Sequence, residues 1–217
     1  GDGGMLMGRR RAGALLLAGA AGPAVLAGTG VGARARGAEV KVGVIAPFSG
    51  PFAMYGRQFE EAMDVYRAQH GDEPGGHRLA FVRRDLEQAD PPRAKALAQE
   101  LVVKEKVHYL AGVVFTPNAL AIAPLAQEAA VPFVIFNAAT SAITARSDHI
   151  VRTSYTLAQV TVPVARYALE EGVRRVVTAV TDYGPGHDAE AAFVAHFTAG
   201  GGTVIESLRM PLRATDF

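Results

Sequence analysis

Short, β-branched apolar segments alternate with longer segments of helical period from residue 40 onward. Six of the short segments are predicted to be strands: Val40–Ala46, Arg78–Asp85, His108–Val114, Pro132–Phe136, Arg174–Val180 and Thr203–Arg209. Several are apolar almost throughout, which is typical of strands that are covered on both faces. This alternation favours βαβ units and hence an α/β fold with doubly wound parallel sheets.

Three of the intervening segments carry apolar residues at the spacing of one helix face. The stripes are Ala94, Leu97, Ala98, Leu101 and Val102; Val160, Pro163, Val164, Tyr167 and Ala168; and Ala189, Ala192, Phe193, His196 and Phe197. Such stripes face a sheet. We therefore expect His196 to lie in the core. We expect Pro163 near the first turn of its helix, where a missing N–H is tolerated.

The N-terminal segment 1–38 has the layout of a secretory signal preceded by a short extension. A run of arginines, 9–11, is followed by an uncharged stretch and then by the small-x-small pattern Ala33-Arg34-Ala35. The stretch is long enough to span a membrane, but its six glycines and Pro23 argue against a stable membrane span. The arginine run resembles a twin-arginine signal. We expect export to the periplasm with cleavage after Ala35 or Ala38.

Charge and cysteine content exclude several classes of function. The formal net charge is +1, made up of +4 in residues 1–38 and −3 in the remainder. A mildly acidic body lacks the clustered Lys and Arg that nucleic-acid binding requires, so we expect no nucleic-acid partner. The chain has no cysteine, which excludes disulfides, thiolate metal sites and a cysteine nucleophile.

The loops that leave the predicted strands are where a ligand is expected, because open parallel sheets bind ligands beyond the carboxyl ends of their strands. Thr116 follows the third strand, with Pro117 as the first helical residue, and Thr140 and Ser141 follow the fourth. Two helix starts that bring hydroxyls and free N–H groups together form a site for a small carboxylate. The alternative is that these hydroxyls only cap their helices.

Other residues of these loops complete the predicted ligand site. Tyr55 and Tyr183 lie in glycine-flanked loops, which favours contact with a ligand over burial in the core. The candidate binding residues are Ser49, Tyr55, Thr116, Asn118, Ala138, Thr140 and Tyr183.

Catalytic motifs are missing from the sequence. The first loop reads Ala46-Pro47-Phe48-Ser49-Gly50 rather than G-x-G-x-x-G, and neither a G-x-S-x-G elbow nor a P-loop is present. The histidines are scattered without metal-ligand spacing. We therefore expect a binding protein with no catalytic residue, cofactor or metal, and we keep an enzyme only as the weakest alternative.

Five motifs together resemble the leucine/isoleucine/valine-binding family of periplasmic solute-binding proteins. They are Val42–Pro51, Tyr55-Gly56, Asn137–Ser141, Val151–Thr153 and Asp182–Gly186. The resemblance implies the substrate-binding component of an ABC importer, with the permease as its partner. It also implies the two-lobed type I periplasmic binding fold. We expect a first lobe at 39–153 and a second lobe at 157–217 that is incomplete.

The resemblance also implies roles for individual residues. The hydroxyls and amides at Thr116 and Thr140 would hold the ligand carboxylate, the Ala138 carbonyl would receive a ligand ammonium, and Tyr55 and Tyr183 would wall the cleft. Asn137 stands where the amino-acid binders usually have proline, and Phe115 adds bulk. A branched-chain amino acid, an amide and an aromatic acid all stay open as ligands. A ligand-sensing domain of a receptor or regulator with the same fold is the alternative function.

Overall fold

The computed structural model describes residues 37–212, and both sheets lie in one compact unit. The strands are β1 (Gly37–Ala46), β2 (His77–Asp85), β3 (Tyr109–Gly112), β4 (Phe133–Ile135), β5 (Ile150–Arg152), β6 (Arg175–Asp182) and β7 (Thr203–Pro211). The helices are α1 (Ala53–His70), α2 (Pro91–Val103), α3 (Thr116–Glu128), α4 (Leu157–Glu170) and α5 (Gly184–Ala199). Short 3₁₀ helices occupy Pro74–Gly76 and Ser141–Arg146.

Two parallel sheets organise the fold. The first has the order β2-β1-β3-β4-β5, and the second pairs β6 with β7. The predicted α/β class and all six predicted strands are confirmed. The three-residue strand β5 was missed, because three residues are too few to show a period. The predicted lobes correspond to one sheet each, and the boundary between them stays a prediction.

The core of the first sheet lies under α2 and α3. Four of the five predicted stripe residues of α2 are buried: Ala94, Leu97, Ala98 and Leu101. They pack with Phe133 and Ile135 of β4 in one continuous cluster. The opposite face is covered by α1, whose Phe59 and Met63 pack against Val44 and Ala111. Helices on both faces of a parallel sheet are the doubly wound arrangement that the sequence predicts.

Two expectations about the second sheet's helices are wrong. In α5 the stripe buries Phe197 completely but leaves His196 exposed, so His196 is not a core residue. In α4 the helix begins at Leu157, so Pro163 lies inside it, beyond the first turn. Because proline has no N–H, the Gln159 carbonyl lacks its usual helical donor. This turn is exposed, so water can donate to that carbonyl instead.

The carboxyl end of β3 requires an unusual backbone. Gly112 has φ +102°, and a Cβ on it would lie 2.5 Å from the carbonyl oxygen of Ile45 in β1. The next residue, Val113, has φ +65° and is buried, a costly conformation for a β-branched residue. Its N–H donates to the Ile45 carbonyl at 2.8 Å, which ties the turn to β1. Strain of this kind is retained where the fold needs an exact turn. Here the strained residue, Val113, lies in the turn that leads to Thr116.

The predicted export signal lies outside the described residues except for Gly37 and Ala38, which belong to β1. Across residues 37–212, no helix combines the length and the apolar character that crossing a bilayer would take.

Candidate functional site

Two threonines meet at the carboxyl ends of neighbouring strands. Thr116 is the first residue of α3 after β3, and Thr140 follows β4 directly before the 3₁₀ helix. Because β3 and β4 are parallel neighbours, their ends bring both residues together. The two Oγ1 atoms lie 2.8 Å apart, and the residues are only 1% and 9% exposed. The expected convergence of these two turns is therefore present.

The capping interpretation of these hydroxyls is wrong for the threonines. Phe115, not Thr116, occupies the N-cap position of α3, and it makes no side-chain cap. Thr140 is the N-cap residue of the 3₁₀ helix, but its hydroxyl makes no capping bond either. Both hydroxyls are directed to each other instead. The pair is thus available to a ligand in a way that capping hydroxyls are not.

The start of α5 approaches this threonine pair from the second sheet. A Cβ on Gly184 would lie 3.4 Å from Thr140 Oγ1 and 3.4 Å from Thr116 Cγ2. These are ordinary van der Waals distances, so a Cβ at this position would just fill the remaining gap. The first N–H groups of α5 have no acceptor within the helix, and the helix dipole favours negative charge there.

The two tyrosines predicted to wall the cleft approach each other. Tyr55 is carried by α1, and Tyr183 directly precedes α5, where it is half-buried. Burial raises the pKa of the Tyr183 phenol, and the nearby Tyr55 phenol raises it further. The Tyr183 phenol therefore stays protonated and able to donate at neutral pH. Their role toward a ligand stays a prediction.

Arg152 holds the turn that carries Thr140. Its Nη1 donates to the carbonyl of Ala138 at 3.1 Å and to the carbonyl of Thr140 at 2.8 Å. Burial lowers the pKa of this guanidinium, while the charge of Asp188 works in the opposite direction. The Ala138 carbonyl, predicted to receive a ligand ammonium, receives a guanidinium N–H instead. The sequence analysis included Arg152 within the Val151–Thr153 motif but gave it no role, because the strand that places it was not recognised.

Two predicted site residues make contacts within the protein. Ser49 donates through its hydroxyl and its N–H to Asp85, which joins the loop after β1 to the end of β2. The Asn118 side chain accepts from the Asp90 N–H at 2.8 Å and donates to the Gln88 carbonyl at 3.0 Å. Asn118 is 1% exposed. The amide of Asn118 and the hydroxyl of Ser49 thus brace loops, and their predicted ligand contacts have no support from these bonds.

Asp85 is a charged anchor of the same strand ends. Burial acts to raise its pKa, but bonds from the Ser49 hydroxyl and from the N–H groups of Phe48, Ser49 and Leu86 outweigh this effect. The net pKa therefore lies below the ordinary value, and the carboxylate stays ionised at neutral pH.

Two aromatic rings that the sequence analysis did not assign to the site line a small cavity. Phe52 and Phe115 pack edge to face with ring centroids 4.9 Å apart. The cavity has a volume of about 100 Å³ and is lined by Phe52, Gln88, Ala89, Phe115 and Leu212. Phe115 directly precedes Thr116 in the chain, although neither threonine lines this cavity. The signal available in the sequence was an aromatic residue next to each of two strand-end loops.

A second contact joins the elements of the two sheets. The carboxylate Oδ2 of Asp188 in α5 accepts from the Ser141 N–H at 3.0 Å and from the Ser141 hydroxyl at 2.8 Å. Ser141 directly follows Thr140.

Among residues 37–212 no group of three or more His, Asp or Glu side chains could hold a metal ion.

Parallel sheets flanked by helices, with loops that meet at the carboxyl ends of the strands, place this chain in the α/β class of proteins. Residues 39–217 match the family model described as periplasmic binding protein, and the chain belongs to that family. The resemblance inferred from the five motifs is thereby confirmed.

Three relatives illustrate the family. Leu/Ile/Val-binding protein homolog 6 of Brucella abortus is 55% identical over 178 residues, which cover 82% of this chain and 46% of the relative. A solute-binding protein of an ABC transporter from R. palustris, solved in complex with 4-hydroxybenzoate, is 56% identical with a TM-score of 0.80 and covers 82% and 49% of the two chains. One from Rhodopseudomonas palustris BisB5, in complex with 3,4-dihydroxybenzoic acid, is 45% identical with a TM-score of 0.78 and the same coverage.

These relatives are binding proteins rather than enzymes, in agreement with the missing catalytic motifs. The chain spans about half the length of the relatives it matches. Proteins of this family are periplasmic binding proteins. The described residues of this chain include the strand-end loops of both sheets.

Proposed function

We propose that this protein is the solute-binding component of an ABC importer and that it captures a small aromatic carboxylate without an α-amine. Residues 39–153 and 157–217 would belong to two lobes that close over the ligand. The partner would be the importer's permease, and the signal in residues 1–38 would deliver the protein to the periplasm. Family membership supports the general function, and the site supports the choice of ligand.

The observation that carries the choice of ligand is the contact of Arg152 with the Ala138 and Thr140 carbonyls. An ammonium group needs acceptors, and the Ala138 carbonyl already has a charged donor. The fixed positive charge of Arg152 also repels a second cation nearby. A carboxylate is favoured by the same charge, and the hydroxyls of Thr116 and Thr140 supply donors to it. An acid without an amine fits this arrangement better than an amino acid.

Aromatic residues around the threonine pair support a ring as the rest of the ligand. Phe52 and Phe115, which directly precedes Thr116, form an edge-to-face pair, and Tyr55 lies close enough to Tyr183 to affect its pKa. Aromatic walls of this kind favour flat rings through offset and edge-to-face contacts. The R. palustris relatives were solved with 4-hydroxybenzoate and 3,4-dihydroxybenzoic acid, which are acids of the proposed class.

The name of the Brucella relative points instead to branched-chain amino acids. The two readings differ in the α-amine and in the ring, so matched ligands separate them. We would measure binding to the full-length gene product by titration calorimetry. The ligands would be 4-hydroxybenzoate and benzoate, benzamide as benzoate without the charge, and leucine beside 4-methylpentanoate, its analogue without the amine.

The proposal expects binding of 4-hydroxybenzoate and benzoate, and at least a hundredfold weaker binding of benzamide and leucine. A hundredfold difference corresponds to about 2.7 kcal/mol. Tight binding of leucine together with no binding of 4-methylpentanoate would refute the amine-free ligand and favour the amino-acid reading. Equal binding of benzoate and benzamide would refute the carboxylate clamp.

A further inference from the structure

One face of α5 meets the first sheet at two adjacent points. Gly184 approaches Thr116 and Thr140, and Asp188, one helical turn later, bonds to Ser141. Gly184 and Asp188 are four residues apart and therefore lie on the same face of α5. Their partners Thr140 and Ser141 are consecutive on the opposing turn. The two contacts therefore form or break together when α5 moves relative to this turn.

The Asp188 carboxylate is surrounded by hydrogen-bond donors and lies near a positive charge. Its Oδ2 accepts one bond from the Ser141 N–H and one from the Ser141 hydroxyl. The Arg152 guanidinium lies close enough for the Asp188 charge to act on it, and it holds the Thr140 carbonyl next to Ser141. Bonds to an ionised acceptor are about twice as strong as neutral ones. Asp188 itself is half-buried, so water only partly competes for it.

We propose that Asp188 is the positioning residue that holds the cleft closed, by bonding the second sheet's α5 to the Ser141 turn of the first sheet whenever the cleft closes, with or without ligand. The inference rests on the proposed function, since it assigns Asp188 to the closure of that same site. Asp188 does not contact the ligand in this account. Its bonds to Ser141 lengthen the time for which Gly184 and the threonine pair enclose the ligand.

A contact made only in the closed arrangement acts on release rather than on capture. The ligand associates with an open cleft, in which Asp188 and Ser141 are apart, so removing the carboxylate leaves the association rate unchanged. Dissociation requires the bonds to break first, so their loss raises the dissociation rate. Such a division between the two rates is the general behaviour of contacts that stabilise a complex after encounter.

The kinetic test uses the full-length gene product with 4-hydroxybenzoate as the probe and stopped-flow mixing as the readout. For Asp188→Ala we expect a dissociation rate about tenfold higher, equivalent to about 1.4 kcal/mol, and an association rate within about twofold of the wild type. Ser141→Ala keeps its backbone N–H and should show about a threefold rise. The double variant should be no faster than Asp188→Ala, because both changes remove the same contact.

Two further variants serve as controls. Asp148 is an exposed carboxylate of the first sheet's region, and Asp148→Ala should leave both rates unchanged. Asp188→Asn keeps an acceptor oxygen without the charge and should lie between wild type and Asp188→Ala. Unchanged dissociation in both Asp188→Ala and Ser141→Ala would overturn the proposal, as would additive effects in the double variant. If Asp188→Ala fails to fold, Ser141→Ala and Asp188→Asn decide the outcome.

A measurement without ligand separates this inference from the choice of ligand. The chain has no cysteine, so Lys95→Cys on α2 and Arg166→Cys on α4 provide two unique positions for spin labels. Both side chains are exposed. We expect Asp188→Ala to shift the distance distribution of the unliganded protein toward longer distances than in the wild-type background. Identical distributions would refute the closing role even if no benzoate binds, whereas a failure of all benzoates to bind refutes only the proposed ligand.

Discussion

Replacing the two threonines by valine separates the stability of the site from its function. Valine has the shape of threonine without the hydroxyl. In Thr116→Val the buried Thr140 hydroxyl loses its 2.8 Å partner, and in Thr140→Val the reverse occurs. A net hydrogen bond contributes about 1 kcal/mol, and a buried hydroxyl left without a partner costs about 1–3 kcal/mol. We expect each single variant to be destabilised by about 2 kcal/mol, or about 4–8 °C in Tm.

The double variant should behave differently in the two assays. It removes both hydroxyls and leaves neither unpaired, so its loss of stability should be clearly smaller than the sum of the single losses. Affinity for a carboxylate ligand should fall with every hydroxyl removed, by about 1.5–3 kcal/mol each, because bonds to a charged group are lost. Urea unfolding measures the first quantity and calorimetry with 4-hydroxybenzoate measures the second.

A hydroxyl pair away from the cleft provides the matched control. Thr178 in β6 donates to the exposed Ser207 hydroxyl at 2.9 Å, and Thr178→Val should change stability little and affinity not at all. The reasoning is refuted if the double variant binds like the wild type. It is equally refuted if the two losses of stability add, since the threonines would then not share one bond.

Three further predictions concern the scaffold, each measured by urea unfolding. Gly112→Ala places a Cβ 2.5 Å from the Ile45 carbonyl at φ +102°, so it should cost more than about 3 kcal/mol, and a near-neutral result would contradict the tight turn. Phe133→Ala empties a completely buried position and should cost about 3–5 kcal/mol; a loss below about 1 kcal/mol would show that the position is not packed. The Asp85 pKa is depressed, so its contribution is present above the unfolded pKa of about 3.9 and is lost as pH falls through the folded pKa. Asp85→Asn should therefore be less stable than wild type at pH 7, with a difference that shrinks as pH falls below about 4 and is gone only below the folded pKa, and a difference independent of pH would exclude this linkage.

The sheet architecture was predictable because buried parallel strands are apolar runs of distinctive length. β1 and β2 are long enough for their β-branched residues to stand out, whereas β5 has only three residues and no period to detect. The exposure of His196 was not predictable from its helix stripe. An apolar stripe predicts which face of a helix packs on a sheet. The second sheet has only two described strands for that face to cover, and Phe197 covers them.

The site was predictable in its position and only partly in its contacts. That Thr116 and Thr140 converge follows from parallel strands ending at one edge, which spacing reveals. Arg152, Asp188 and the bracing role of Asn118 depend on which side chains of distant segments meet. These contacts are decided by packing in three dimensions, and no local sequence pattern records them.

The central position of β1 has a consequence for the newly made chain. The backbone of Lys41 in this strand bonds with His108, 67 residues later, and Ala38 bonds with His77, 39 residues later. At about 5–20 residues per second of synthesis, the strand waits roughly 3–13 s for its last partner. Parallel pairing over such separations is also intrinsically slow. A chain whose first strand stays unpaired for seconds offers chaperones an extended apolar segment to bind before the sheet can close.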